Sequence, residues 1–406
     1  MALEGERIGQ IREWVEDRAD EMAEFLTRLI AEDTENPPGR GLRRCAGALL
    51  SQMEYLGLKS EILPLSPSGS LEDPCIMRAT VGEGPRIMYF HGHFDVVPAQ
   101  DQHQFSAVRR EGKIVGRGSA DMKGGLVSML YGAAAAQTLG KIADGRIVLH
   151  FVCDEETGSV AGSGFLRESG LIDPAAVAMV TAEPSGGQIW NAARGAISLR
   201  VSVPGREAHV GQAYLGVNAF QRMIRIAQSL EPYAHEMAER HTSFDVESHD
   251  ARGSMLVIGG QSGSGSSFNV VPGSSWFTVD GRFNPEENLE TELELMKEII
   301  RQAAESNSTR AMVEVTQFQP AASTRKDHPA GESLARCIEE VEGTAPRFEM
   351  CAGILETRWY TQLGIPAFSY GPGRLDVSHG PIEYVDEAAM RRCAAVYALY
   401  AARMLS

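Results

Sequence analysis

Five short polar segments of the chain carry the residue types that metal-assisted hydrolysis needs. They are His91-Gly-His93-Phe-Asp95, Gly116-Arg-Gly118-Ser-Ala-Asp121-Met-Lys-Gly-Gly125, Asp154-Glu155-Glu156-Thr-Gly158, Glu183-Pro184, and Gly371-Pro-Gly373 followed by Ser378-His379-Gly380. Taken singly, each has an ordinary explanation: a strand-end carboxylate caps a helix or faces water, and a Gly-rich turn serves backbone geometry. Taken together, histidines and several carboxylates at successive strand ends offer mixed nitrogen and oxygen donors, a set that suits zinc, manganese or cobalt. Five such side chains are naturally shared between two ions through one common carboxylate. Adjacent Glu155 and Glu156 do not both suit one ion. One can ligate while its neighbour acts as a base on the water that the ions activate.

The elements that must position these segments are legible around them. Arg86–Phe90, Gly145–Cys153 and Ala176–Thr181 are apolar runs of strand length, each running into one of the polar segments. Helices are expected over 8–30, 41–56 and the Ala-rich stretch 122–139. Strands alternating with helices predict an α/β domain with a mixed, mostly parallel sheet flanked by helices, whose ligands gather at the strand ends. From about Gln188 the texture changes. Ala196–Val203 alternates with period two, followed by a helix (217–238), strands (254–258 and 274–282), a helix (289–304) and a strand (312–318). That β-α-β-β-α-β order predicts a ferredoxin-like α+β insertion over 191–317. Helix-strand alternation then returns at 333–342, 365–370 and 387–404, so residues 1–190 and 318–406 form one discontinuous domain. Ser262-Gly-Ser-Gly-Ser-Ser267 reads as a flexible hairpin tip.

Composition narrows the partners. With 406 residues, 43% of them hydrophobic and 23% charged, the chain can bury a sizeable core. It carries 54 acidic residues against 38 Lys and Arg, a net charge of -16, which argues against nucleic acid or an anionic membrane as partner. No apolar run reaches the roughly 18 residues of a membrane span, and the acidic start of the chain shows no secretory signal. The six cysteines have no C-x-x-C spacing, so they read as buried thiols of a cytoplasmic protein and not as a disulfide framework.

In their order and spacing the five segments resemble the zinc-dependent exopeptidase and deacylase family that includes acetylornithine deacetylase, succinyl-diaminopimelate desuccinylase, glutamate carboxypeptidase and aminoacylase. The resemblance spans about residues 8–400. It implies two divalent ions per chain, zinc foremost, with manganese and cobalt also suited. His93 and Glu183 would hold the first ion, Glu156 and His379 the second, and Asp121 would bridge them through a carboxylate set by a cis bond to Met122. Asp95 would orient the His93 ring, and Glu155 would be the general base. The insertion would be a dimerisation and lid domain, the protein a homodimer, and His209 would reach the partner's site to stabilise the oxyanion. Arg194, Asn269, Arg282, Gly353 and Arg358 would contact a small substrate that bears a carboxylate.

The segment Cys351-Ala-Gly353-Ile-Leu-Glu356-Thr-Arg358-Trp-Tyr360 departs from the family's usual Gly-Gly-Thr-x-Asp-x-Arg, and Ile382 stands where Asn is common. The expected activity is hydrolysis of the amide bond of a small N-acyl amino acid or dipeptide-like molecule. The altered segment, taken as part of the substrate pocket, raises an alternative: an aminohydrolase or deaminase acting on a non-peptide C–N bond, such as that of an aromatic amine. A binding protein on an inactive hydrolase fold is disfavoured, because every proposed ligand and Glu155 are present. His91 reads as a strand-end packing residue, and His103, His150, His235, His241, His249 and His328 receive no role.

Overall fold

A computed structural model describes residues 2–66 and 71–406. The chain divides into two compact units. The first holds the residues up to Asn191, Ser323–Glu349 and Glu356–Ser406; the second holds Ala192–Ala322 and Met350–Leu355. Met350–Leu355 thus clusters with the second unit, although its place in the chain predicts the 318–406 segment of the first.

The first unit is built on a mixed sheet. Its strands run, in spatial order, Lys59–Pro64, Cys75–Gly82, Gly145–Val152, Arg86–His93, Ala178–Thr181 and Ala367–Ser369, then continue to Ile189–Ala193, whose last two residues are counted with the second unit. Arg86–His93 pairs parallel with Gly145–Val152 and with Ala178–Thr181, which pairs parallel with Ala367–Ser369. The flanking pairs are antiparallel. The central strands are buried on both faces, as parallel strands covered by helices must be, and so read as unbroken apolar runs. Helix Gly124–Thr138 is buried over its whole length to Ala136 and packs against the C-terminal helix Glu387–Met404. Small residues permit that approach: a Cβ on Gly132 would lie 2.7 Å from the Ala394 carbonyl oxygen.

The second unit is a four-stranded antiparallel sheet in the order Met255–Ser264, Ser274–Phe283, Gly195–Pro204, Met312–Gln319. With helices Ala219–Gln228, Glu231–Ala238 and Leu289–Ser306, the chain order β-α-β-β-α-β is kept and the strand order is ferredoxin-like. Alternate residues Ile197, Leu199, Val201 and Val203 bury against Met223, Ile226, Met296 and Ile300. Helices Ala219–Gln228 and Leu289–Ser306 are capped at their starts by Asn218 and Asn288, whose side chains accept the N–H of Gln221 and Thr291.

Three elements differ from expectation. The helix expected over 8–30 is two helices, Ala2–Glu16 and Ala19–Ala31. That over 217–238 also splits, because Pro232 has no N–H to continue a helix and opens a new one at Glu231. Ser262–Ser264 is not hairpin tip but paired strand, in register with Ser275–Phe277; the turn begins at Gly265. Among the described residues no helix is long and apolar enough to cross a membrane.

Candidate active site

The parallel centre of the first unit's sheet brings the polar segments together. Arg86–His93 ends on His93, Gly145–Val152 runs into Asp154–Gly158, Ala178–Thr181 into Glu183, and Ala367–Ser369 into Gly371–Gly373. Parallel neighbours present their C-terminal ends at one edge, where an open α/β sheet places its ligands. Two glycines close the arrangement. A Cβ on Gly371 would lie 2.3 Å from the carbonyl oxygens of Ala182 and Glu183, and one on Gly373 would lie 2.1 Å from that of Ala120. Only glycine lets the loop leading to His379 lie against the main chains that carry Glu183 and Asp121.

Two groups of side chains result: His93, Asp121 and Glu183, and Asp121, Glu156 and His379, with the ligand atoms of each within 4.8 Å of one another. Asp121 serves both. Its Oδ1 is 3.3 Å from His93 Nε2, and its Oδ2 is 3.3 Å from His379 Nε2. His93 Nε2 lies 3.9 Å from Glu183 Oε1, and His379 Nε2 lies 3.4 Å from Glu156 Oε1.

The donor set fits divalent cations on an observation independent of any family. His93 Nε2, Glu156 Oε1 and Glu183 Oε1 are buried and make no well-directed hydrogen bond. Leaving such atoms unsatisfied costs about 1–3 kcal/mol each; a cation in the first group would satisfy those of His93 and Glu183, and one in the second that of Glu156. One imidazole with carboxylates in each group matches zinc, manganese or cobalt. The six cysteines are buried free thiols and belong to neither group.

The neighbouring contacts orient the donors. His93 Nδ1 sits 3.0 Å from the Asp95 carbonyl oxygen and 3.4 Å from the Asp95 carboxylate. The main chain of Asp95, more than its carboxylate, therefore keeps the proton on Nδ1 and turns Nε2 toward the site. The Asp95 carboxylate instead accepts the N–H groups of Glu155 and Glu156, at 3.2 and 3.1 Å, and the Asn36 side-chain amide at 2.9 Å. Glu155 lies in neither ligand group. Burial lifts its carboxyl well above the usual range, with the nearby charge of His93 working against that rise and those of Glu183 and Glu156 adding to it. A carboxylate lifted toward neutrality accepts and returns protons more readily near pH 7.

Arg358 is buried, its guanidinium donating to the Gly158 carbonyl at 3.0 Å and so clasping the turn that carries Glu155 and Glu156. Glu356 is the larger surprise. Expected in the substrate pocket, it is fully buried, 2.7 Å from His91 Nε2 and 2.5 Å from Ser163 Oγ. His91 Nδ1 in turn lies 3.0 Å from the Tyr360 hydroxyl, which is 3.3 Å from His150 Nδ1. His91 is thus the partner of a buried carboxylate and not a mere packing residue, and His150 belongs to the same chain of polar contacts.

Five further residues singled out in the sequence lie in the second unit. The Arg194 backbone N–H donates to the Gly353 carbonyl oxygen at 3.1 Å, and its buried guanidinium donates to the Ala251 carbonyl. His209 and Asn269 are brought together by a two-residue ribbon, Val210 N–H donating to the Asn269 carbonyl oxygen at 2.9 Å; both are exposed. The Arg282 guanidinium is engaged by both oxygens of Asp280, at 3.0 and 3.2 Å.

Proton competition follows from the geometry. Without ions, hydrogen bonds to Asp121 and Glu156 push His379 up to about 10, and burial pushes Glu183 up to about 8. Both then hold a proton at neutral pH that a cation must displace, so acid weakens metal binding and base strengthens it. We expect affinity to rise about tenfold per pH unit for each proton displaced between about pH 6 and 8. Titration calorimetry in two buffers of different ionisation heat checks this; an affinity flat across that range would refute it.

Residues 89–403 match the family described as peptidase family M20/M25/M40. Among curated proteins, the chain is 28% identical to an acetylornithine deacetylase of Myxococcus xanthus over 92% of this chain and 94% of the relative. It is 22% identical to an N-formyl-4-amino-5-aminomethyl-2-methylpyrimidine deformylase of Halalkalibacterium halodurans, over 94% of each. Among solved structures, an M20 family metallo-carboxypeptidase from Sulfolobus solfataricus superimposes with a TM-score of 0.77 at 17% identity, covering 95% of this chain and 99% of that one. Human carnosine dipeptidase 1 gives a TM-score of 0.74 at 18% identity, covering 98% of both chains. At those identities the two structures attest the fold.

Proposed function

The chain belongs to peptidase family M20/M25/M40 and is a metal-dependent hydrolase of that family; from that premise we propose that it uses two divalent ions, zinc foremost and manganese or cobalt as alternatives, to hydrolyse the amide bond of a small N-acyl amino acid or dipeptide-like molecule. The observation that carries this reading is the pair of ligand groups sharing Asp121, with buried unsatisfied donors, beside a carboxylate that belongs to neither. His93 and Glu183 serve one ion, Glu156 and His379 the other, and Asp121 both. Bound there, the ions acidify water and polarise the scissile carbonyl. Glu155 takes the proton of the attacking water and delivers it to the leaving amine, while Asp95, itself held by the Asn36 amide, holds the Glu155–Glu156 turn in place through two hydrogen bonds.

The second unit, in this reading, dimerises, and His209 serves the partner copy as the oxyanion's donor. Exposed apolar residues support an interface there: Met255 and Val257 on the strand at the edge of the sheet, Phe220 and Ile224 on a helix. Of the residues expected to meet the substrate carboxylate, Asn269 keeps that role. Arg194 and Arg358 are buried against carbonyl oxygens and are assigned to holding loops, and Arg282 is already paired with Asp280. Six buried free thiols fit a reducing cytoplasm.

The names of the relatives set the test, a screen of N-acetyl, N-succinyl, N-formyl and dipeptide substrates with zinc, manganese or cobalt added. Equimolar release of carboxylic acid and amine from at least one class is expected. A flat panel together with ammonia release from aromatic amines would replace this reading with the aminohydrolase. Burial of Glu356 against His91 removes much of the motive for that alternative, since the changed acid does not line a pocket.

A further inference from the structure

Glu383 lies four residues beyond His379 and outside both ligand groups, yet its carboxylate is fully buried. One oxygen, Oε1, accepts the backbone N–H of Ala120 at 3.0 Å and of Asp121 at 3.1 Å. The other, Oε2, is 2.7 Å from Nη1 of Arg117, whose side chain is equally buried. The main chain repeats the link. Gly116 N–H donates to the Glu383 carbonyl at 2.9 Å, and strand Tyr384–Asp386 pairs with Lys113–Val115 just upstream. On the His379 side, the Gln104 amide donates to the carbonyls of Gly380 and Pro381, while Arg117 N–H donates to the Gln104 carbonyl at 2.8 Å.

Stability alone is a poor reason for such a pair. Buried ion pairs are often no more stabilising than apolar residues of equal volume. This one also leaves Nε and Nη2 of Arg117 buried without hydrogen bonds. What the charge does supply is a strong acceptor for two successive N–H groups, at the residue whose side chain serves both ligand groups.

We propose that Glu383 and Arg117 form a positioning pair: Arg117 holds the Glu383 carboxylate, which holds the main chain of Ala120 and Asp121, so that the Asp121 carboxylate faces His93 and His379 at once. The pair also ties the segment bearing His379 to the segment bearing Asp121, making the two groups one unit.

The proposal rests on the two-ion reading, and its test separates the two. Metal-free wild type, Glu383→Gln, Glu383→Ala, Arg117→Lys and Arg117→Met are each titrated with zinc and with cobalt, and each is melted without metal. Glu383→Ala is expected to weaken uptake about 10–100-fold, the usual cost of losing an outer partner of a ligand, and to shift the visible spectrum of the cobalt-loaded protein. Glu383→Gln keeps a carbonyl for the two N–H groups and should lose less. Arg117→Met should weaken uptake and lower the metal-free melting temperature, because it leaves the Glu383 carboxylate buried without its partner, and Arg117→Lys should restore both. Should Glu383→Ala fail to fold, the Arg117 pair carries the comparison. Uptake and cobalt spectra equal to wild type in the Gln, Lys and Met variants overturn the positioning role while leaving the two-ion reading intact. A wild type that takes up no ion overturns both.

Discussion

Replacing Glu155 by alanine is expected to slow amide hydrolysis by about 10²–10⁴-fold, the range that a positioned general acid-base group contributes, while the protein keeps its metal. The separation follows from the geometry. The atoms of the two candidate ligand groups come from His93, Asp121, Glu156, Glu183 and His379, and Glu155 is not among them. Its own place is set by its backbone N–H on Asp95 Oδ1, which a change of side chain leaves intact. What disappears is the proton acceptor, a carboxyl whose burial raises its proton affinity. Glu155→Gln should behave alike, since an amide cannot take a proton at neutral pH. Turnover measured on protein whose metal content is assayed in the same sample decides the matter. Undiminished turnover by metal-loaded Glu155→Ala would remove Glu155 from the mechanism. Loss of metal in step with activity would make it a ligand instead.

Asp121→Ala should produce the other large effect, loss of both ions. Its two oxygens face different histidines, so its removal takes a donor from each group at once. It also deletes one negative charge that both ligand groups share. Uptake should weaken by more than about 100-fold, beyond the loss caused by an outer partner, and activity should fall to background. His93→Ala strips a donor from one group only and should spare ion binding at Glu156 and His379 more than Asp121→Ala does. Thermal melting gives a second readout. Ions that bind only the folded state raise the melting temperature of wild type, and that rise should vanish in Asp121→Ala. A variant that still takes up two ions as tightly as wild type would show that Asp121 is not the shared ligand.

Much of this centre was legible in the linear chain because of where it lies. Metal-ligating residue types follow directly on apolar strands, and their carboxylates and imidazoles have few other reasons to recur at successive strand ends. The contacts that aim them were not legible. Asn36, which looks like a helix breaker before Pro37-Pro38, binds the Asp95 carboxylate across 59 positions. Glu356 meets His91 across 265 positions and Glu383 meets Arg117 across 266. No local pattern marks such pairs, since a single polar residue beside an apolar stretch reads equally as surface.

Residue type and period alone determined the alternation of strands and helices, the α+β insertion and the donor chemistry, because those follow from which side chains avoid water and which bind cations. Tertiary structure alone decided which carboxylates face inward, that Met350–Leu355 clusters with the second unit, and that Arg282, Arg358 and Glu356 have partners within the protein. Those outcomes depend on distances between segments far apart in the chain, and a buried charge takes whichever partner the packing brings within reach.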